Sequence, residues 1–385
     1  MRECLIVAFL AAAAAFCWQF ATVHFIYGDN WTALYYVGAE KAPMPEELAN
    51  ENIYRFPDVV GHDGRFYHLV AHDPFFKRNF AQYIDRPTLR YRRILAPGLA
   101  ALLSFGHSNW VDPIFFAEIP FFVFLGTYWL ARWSVSHGHS YYWGFLFWAM
   151  PATLASVPMT LIDVLLAAFA SGFVWYVEQK SPVKLFAVLA CAVLTRETGI
   201  LLLIGWCAWL LFQRHLLRAI TYAAAALPAA CWDIFVNLHA KSTGPVWLSP
   251  IPLYGFVHAF VFPFAYPAGM TGRVLATLDR VALIGMLIAL IYVFRDAFQP
   301  ARRDYKTFVA LTFAVFALFL AGGDVWPEAT AFSRTFTPLL LMLAMSGILS
   351  KNWWRLSPLV LIAPRISPTY LTKVEGLVHA VLHRS

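Results

Sequence analysis

Long apolar segments alternate with short polar connections along almost the whole chain, which predicts a membrane protein built from helices. A helix needs about 20 apolar residues to cross the hydrocarbon core of a bilayer. The first such segment runs from Cys4 to Ile26, and it is longer than the apolar core of a secretory signal, so we interpret it as a retained span. Further spans are predicted at 113–131, 141–157, 160–178, 182–196, 199–213, 216–238, 278–294, 307–321 and 335–350.

These segments predict an all-α polytopic membrane protein with about ten transmembrane helices, within a range of about nine to twelve. Residues 1–385 then form a single integral membrane domain, and residues 27–112 form a first outer loop with interfacial or re-entrant helices. The apolar stretch from Ile94 to Phe105 has only about half the length of a span. If it does not cross, most Lys- and Arg-bearing connections share a side with Arg2, and the positive-inside rule makes that side cytoplasmic. Both termini are therefore expected in the cytoplasm.

Composition agrees with this class and argues against others. The chain is 60% hydrophobic and only 13% charged. Its net charge of +7 arises from basic residues spread among the connections, so the positive-inside bias explains it and nucleic acid is not an expected partner. The five cysteines lie in apolar segments without a CxxC pair, which predicts neither a disulfide framework nor a metal cluster. Membrane lipids are the expected surroundings.

The most informative polar segment is GHDGRFY at 61–67, within a loop that carries nine acidic and nine basic residues between Asp29 and Arg93. Gly61 and Gly64 flank Asp63, and glycines permit a tight turn and the close approach of a ligand to the backbone. An ionisable residue held against a bilayer is a functional-site candidate by default. The alternative is that Asp63 only caps the helix that follows it.

Four further residues are candidates for the same site. Asp163 falls at the outer end of a predicted span, and its alternative role is a helix cap or an interfacial carboxylate. Arg334 opens the last predicted span, where it can bind a phosphate through two N–H groups or anchor the helix at the lipid headgroups. Arg196 and Glu197 either form an internal pair that stabilises a hairpin or line a donor site.

Arg90, Arg92 and Arg93 form the densest cationic patch outside the predicted cytoplasmic side. Such a patch can hold a donor phosphate or an anionic acceptor, and anionic lipid headgroups would satisfy it equally well. The sequence alone leaves these alternatives open.

Three histidines occur near Asp63, at His62, His68 and His72. Spacings of six and four on an irregular loop differ from those of a metal-binding helix pair, and no cysteine accompanies them. No metal site is therefore predicted, and a divalent cation remains optional.

The order and placement of these motifs resemble the GT-C superfamily of membrane glycosyltransferases. In that superfamily a catalytic aspartate follows the first span, often with an aromatic residue in an Asp-x-x-x-Tyr spacing, which Asp63 and Tyr67 match. The segments DGRFY at 63–67, AHDPF at 71–75, RYRRILAP at 90–97 and LTRETG at 194–199 look like the bacterial branch related to the mannosyltransferases of glycolipid-anchor synthesis.

The resemblance implies transfer of a sugar, with inversion, from a polyprenyl-phosphate donor to a lipid or glycan acceptor. It also implies the bacterial inner membrane, with the active site facing the periplasm. Asp63 is then the base near the acceptor hydroxyl, Asp163 an auxiliary acid and Arg334 the arginine that stabilises the departing phosphate. Further substrate-binding residues are expected at Arg92, Arg93, Tyr67, Arg196, Glu197, His72 and Asp73.

Two other classes compete with the enzyme. A polytopic transporter or a flippase for a lipid-linked sugar would also use buried acids and a proline-broken helix. A non-catalytic membrane scaffold would leave the Asp63 loop unexplained. The enzyme requires Asp63, Asp163 and Arg334 to converge on one outward-facing cavity that opens toward lipid.

Overall fold

The computed structural model describes residues 1–39, 43–48, 51–57, 61–241, 248–321, 323 and 325–383, and these are predominantly α-helical. Along the first half of the chain the helices are α1 (Arg2–Ile26), α2 (Gly64–His72), α3 (Pro87–Arg92), α4 (Leu95–Leu103), α5 (Ser108–Ser136), α6 (Pro151–Ser156), α7 (Asp163–Glu178), α8 (Pro182–Thr195) and α9 (Ile200–Phe212). The all-α class predicted from the sequence is confirmed.

The second half continues in the same way. Its helices are α10 (Leu216–Ala223), α11 (Leu227–His239), α12 (Tyr254–Val261), α13 (Met270–Phe298), α14 (Tyr305–Phe319), α15 (Ala329–Thr335), α16 (Thr337–Ser350) and α17 (Ser357–His383). Short 3-10 helices and turns connect many of them. In the described residues, the sheet consists of two parallel strands, β1 (Val37–Gly38) and β2 (Arg55–Phe56), with Val37 opposite Arg55.

Several helices are long and apolar enough to cross a membrane, as the sequence predicts. Among the described residues these are four: α1, α5, α13 and the continuous stretch Leu216–His239 that contains α10 and α11. α15 and α16 meet at an angle of 65° and would together make a fifth. Other predicted spans form shorter apolar helices, among them Pro182–Thr195, Glu197–Phe212 and Tyr305–Phe319, so the described helices of spanning length are fewer than the ten predicted.

The apolar stretch from Ile94 to Phe105 forms the nine-residue helix α4. At a rise of 1.5 Å per residue this helix is about 14 Å long, less than half of the hydrocarbon core. α4 packs against α2 and α5, and thus belongs to the assembly that holds the first loop. α5 begins at Ser108, so the last five residues of the predicted first loop are already helical.

A helix that the sequence did not predict as a span, α17, runs along the bundle. It is antiparallel to α13, because Arg355 just before it pairs with Asp296 and Arg365 pairs with Asp279. It is parallel to α1, because Tyr370 contacts Trp18 and later residues approach the end of α1.

This packing does not confirm the expectation that both termini lie on one side. The last turns of α17 lie beside Ile26, at the opposite end of α1 from Met1. The pattern of hydropathy missed α17 because two prolines and several charged residues interrupt its apolar stretch.

The centre of the bundle is formed by α5, which packs against α1 on one side and α7 on the other. α1 presents Ala8, Ala11 and Ala15, all fully buried. Small side chains let two helix backbones approach closely within a membrane. This frame holds the turn before Asp163 next to the first loop.

Candidate functional site

Two glycines allow the start of α2 to pack tightly against neighbouring backbone. Gly61 has a φ of +91°, and a Cβ there would lie 2.6 Å from the carbonyl oxygen of Tyr36. A Cβ on Gly64 would lie 2.9 Å from the carbonyl oxygens of both Tyr35 and Met159. Only glycine fits at such distances, so these residues bring Asp63 up to the turn that precedes α7.

The Asp63 carboxylate is held by two arginines. The Asp63 side chain makes no capping hydrogen bond to α2, which argues against a capping role. Its Oδ1 lies 3.0 Å from Nη1 of Arg90, and its Oδ2 lies 3.1 Å from Nη2 of Arg334. The carboxylate is therefore a partner for guanidinium groups.

Arg334 also reaches the second predicted acid. Its Nη1 lies 3.4 Å from Oδ2 of Asp163, whose Oδ1 is paired with Arg196. Asp163 is buried and begins α7 without serving as a side-chain cap. Asp63, Asp163 and Arg334, spread over 271 positions of the chain, thus meet around one guanidinium group.

The pairing continues on both sides of these residues. Arg90 binds both carboxylate oxygens of Asp85 at 3.0 Å. On the other side Arg196 lies 3.5 Å from Glu197, and Glu197 accepts two hydrogen bonds from Arg93 at 2.6 and 2.8 Å. We call this alternating series the ion-pair chain; its members, in order, are Asp85, Arg90, Asp63, Arg334, Asp163, Arg196, Glu197 and Arg93.

Tyr67 fixes the last arginine of the ion-pair chain. Its hydroxyl accepts a hydrogen bond of 2.8 Å from Nη1 of Arg93, and its ring is fully buried. Arg196 also donates a hydrogen bond of 3.0 Å to the Thr335 hydroxyl beside Arg334. Arg196 and Glu197 are thus an adjacent pair, as one alternative proposed, and also members of a larger network.

The ion-pair chain is formally neutral, since it contains four carboxylates and four guanidinium groups. Burial would raise the pKa of Asp63, but Arg90 and Arg334 hold it well below its ordinary value. The Asp63 side chain keeps 22% of its exposure, against 5% for Asp163. Within the described residues, the Nε–H of Arg334 has no hydrogen-bond acceptor. A further anion could therefore be bound here.

Two predicted site residues lie outside the ion-pair chain. Arg92 points to α11, where Nε lies 2.9 Å from Asp233 and Nη2 donates to Asn237 at 3.2 Å. The Asp73 carboxylate accepts backbone N–H groups of the turn after α2, including those of Lys77 and Phe80. Neither residue is brought to Asp63, and Asp73 has a structural role in its turn.

His72 belongs to a second cluster, together with His68, Glu51 and Asp112. His68 and His72 lie one turn apart on α2, so the assumption of an irregular loop was wrong for this part of the chain. Burial would lower the pKa of His68, but Asp112 and Glu51 raise it to about 9. The spacing of four could have revealed the histidine pair, whereas nothing in the sequence links Glu51 with Asp112.

A cavity of about 210 Å³, lined in part by Arg65, Phe66 and Asp85, lies beside one end of the ion-pair chain. That Asp63, Asp163 and Arg334 share a cavity opening toward lipid stays a prediction. Comparisons with protein-family models, curated proteins and solved structures find no match to this chain. The functional inference therefore rests on its residues and their geometry.

Proposed function

We propose that this protein is an inverting GT-C-type glycosyltransferase. It transfers a sugar from a polyprenyl-phosphate donor to a lipid or glycan acceptor at the periplasmic face of a bacterial inner membrane. The observation that carries the proposal is the meeting of Asp63 and Asp163 on Arg334. A partly exposed acid beside largely buried arginines is the combination that acid–base chemistry on a phosphate-linked sugar requires.

The reaction needs one proton acceptor and one anion stabiliser. Asp63 takes the proton from the acceptor hydroxyl while the oxygen attacks the anomeric carbon from the side opposite the phosphate. The bond between the anomeric carbon and the phosphate oxygen breaks, and the polyprenyl phosphate leaves with the bonding electrons. Arg334 stabilises the growing negative charge, and Asp163 holds Arg334 and Arg196 in position.

Binding of the donor would also raise the base strength of Asp63, which is low in the ligand-free site. A carboxylate with a lowered pKa is a weak base, and Asp63 is held in that state by Arg90 and Arg334. A bound phosphate competes with Asp63 for these guanidinium groups, so the pKa of Asp63 rises toward its ordinary value. Base strength is thereby coupled to the presence of the donor.

The apolar helices suit a donor with a long prenyl tail. Among the described residues, four or five helices have the length and composition of spans, and shorter apolar helices accompany them. In our proposal these shorter helices also pass through the bilayer, as the sequence predicts, and the ion-pair chain lies at the outer end of α7 and α8. The donor phosphate then stays at the headgroup level while its tail remains in lipid.

The test uses the purified full-length protein in vesicles that contain radiolabelled polyprenyl-phosphate hexoses and an extract of envelope lipids and glycans as acceptors. The variant Asp63→Asn should lower formation of the new glycosidic bond by at least about 100-fold, as expected for loss of a general base. The control is Asp29→Asn, the same substitution at an exposed position of the same loop, which should keep wild-type turnover.

Two results would overturn the proposal. Near-normal turnover in Asp63→Asn would remove Asp63 as the base. Movement of labelled donor across the bilayer without a new glycosidic bond would instead identify a transporter or flippase.

A further inference from the structure

We propose that Glu51, His68, His72 and Asp112 form a binding site for one divalent transition-metal ion of the zinc type. The proposed site uses none of the residues of the ion-pair chain. It does not depend on the proposed glycosyl transfer.

The four side chains come from three separate parts of the chain. His68 and His72 lie four residues apart on α2, and this spacing puts two imidazoles on one face of a helix. Asp112 lies in the first two turns of α5, and Glu51 precedes β2. One donor atom from each residue lies within 4.8 Å of all the others.

Three of the six separations between donor atoms fit tetrahedral coordination. Zinc bonds to nitrogen and oxygen of about 2.0–2.2 Å put neighbouring ligand atoms about 3.4 Å apart at the corners of a tetrahedron. Nε2 of His68 lies 3.4 Å from Oε2 of Glu51 and 3.4 Å from Oδ1 of Asp112, and Nε2 of His72 lies 3.1 Å from the same Oδ1.

Hydrogen bonding alone leaves this cluster poorly satisfied. Nε2 of His68 and Oε2 of Glu51 are buried and, although they lie 3.4 Å apart, neither makes a hydrogen bond of ordinary geometry among the described residues. Buried polar atoms in native proteins nearly always have a partner, so such atoms require an explanation. A metal ion between them would satisfy both.

Neighbouring groups hold two of the ligands in orientation. The Tyr35 hydroxyl donates a hydrogen bond of 2.7 Å to Oδ1 of Asp112, and the Tyr35 ring stacks on His68 at 4.5 Å. Outer contacts of this kind fix the orientation of metal ligands. Both imidazoles are almost fully buried, with side-chain exposures of 0% and 1%.

The donor set selects the metal and suggests its role. Two imidazole nitrogens with two carboxylates suit zinc, whereas magnesium and calcium prefer sites made of oxygen alone. The two carboxylates also neutralise a divalent ion. Glu51 and Asp112 line a cavity of about 750 Å³, which gives the ion an entry path. Four protein ligands are typical of a structural site, which here would tie α2 and the first loop to α5.

The first test measures zinc bound to the purified full-length protein after treatment with a chelator and titration with Zn²⁺ alone. Wild type should bind one zinc per chain. Loss of an outer partner that orients a metal ligand weakens metal binding by about 10- to 100-fold. His72→Gln removes a ligand itself and should therefore weaken zinc binding by more than this. The control is His107→Gln, which alters an exposed histidine near the start of α5 and should bind zinc as wild type does.

The second test uses Co²⁺ in place of Zn²⁺, because its visible absorption distinguishes tetrahedral from octahedral coordination. Wild type should give the intense bands of a tetrahedral site, and His72→Cys should keep them and add a near-ultraviolet thiolate band. This variant keeps the inference testable if His72→Gln fails to fold. Folded wild type that binds zinc no tighter than His72→Gln, or that gives only weak octahedral Co²⁺ bands, would overturn the proposal.

Discussion

The two ends of α2 hold carboxylates in opposite ways. At its start, the Asp63 carboxylate lies between the guanidinium groups of Arg90 and Arg334. Toward its end, the Asp112 carboxylate faces the imidazoles of His68 and His72. The acids are alike, and what differs is the basic group that surrounds them.

That difference decides which ligand each region can accept. A guanidinium group keeps its proton at any accessible pH and offers only donors, so a competing anion is what can replace its carboxylate. An imidazole can release its proton and offer a lone pair, so it can bind a metal cation. A single nine-residue helix therefore separates a proposed anion site from a proposed cation site.

The largest effect is expected at Arg334, which joins both acids of the anion site. Arg334→Gln should lower glycosyl transfer by about 100- to 1,000-fold, as loss of one stabilising donor does in other enzymes. Arg334→Lys should retain part of the activity, because a lysine keeps the charge without the two-pronged geometry. Turnover in vesicles measures both.

The zinc content of the Arg334 variants tests whether the anion site and the histidine cluster are independent. It should equal that of wild type, since Arg334 is absent from the histidine cluster. Equal losses of zinc and of activity would mean that the two regions form one unit.

A smaller effect concerns the pH dependence of stability. Asp63→Asn should lower the free energy of unfolding by about 2 kcal/mol, because hydrogen bonds between charged groups are lost. The pKa of Asp63 in the folded state lies below its unfolded value of about 3.9. The contribution of Asp63 to the free energy of unfolding is therefore complete at pH values above the unfolded pKa, and it is lost as pH falls through the folded-state pKa.

Chemical denaturation of wild type and Asp63→Asn at several pH values measures this contribution. The difference between them should stay constant from about pH 8 to pH 5 and decrease only below about pH 4. A decrease between pH 7 and pH 5 would contradict the lowered pKa of Asp63.

The smallest effect is expected at Arg92, the arginine of the cationic patch that lies outside the ion-pair chain. Its ion pair with Asp233 is partly exposed, and such pairs contribute about 0–1 kcal/mol. Arg92→Gln should therefore change transfer by less than about threefold. A loss as large as that of Arg334→Gln would show that Arg92 reaches the donor.

The contrast between Arg90 and Arg92 also shows where sequence reasoning reached its limit. Both lie in the short helix α3, where a separation of two residues turns a side chain by about 200° around the axis. The sequence showed three neighbouring arginines but not that each would pair with a different carboxylate. Which arginine meets Asp63 depends on the orientation of α3, and that is set by contacts with distant helices.

Asp163 and Arg334 could be predicted because each is a charge at the edge of an apolar segment, and Asp63 because two glycines flank it within a charged loop. α17 could not be predicted, because a hydropathy pattern counts every charged residue against an apolar segment, whether or not the charge has a partner in the folded protein. Arg365 is buried against Asp279, and the Lys373 ammonium donates to the Pro158 carbonyl oxygen at 3.0 Å. Such pairing makes an interrupted apolar segment acceptable inside a helical bundle.

The direction of α17 has a practical consequence for experiments on whole membranes. α17 runs parallel to α1, and its last turns lie beside Ile26. We predict that, when α1 crosses a bilayer, a reporter fused after Ser385 emerges on the face opposite to one fused before Met1. In sealed vesicles, a protease added outside would then remove one of the two reporters and leave the other intact.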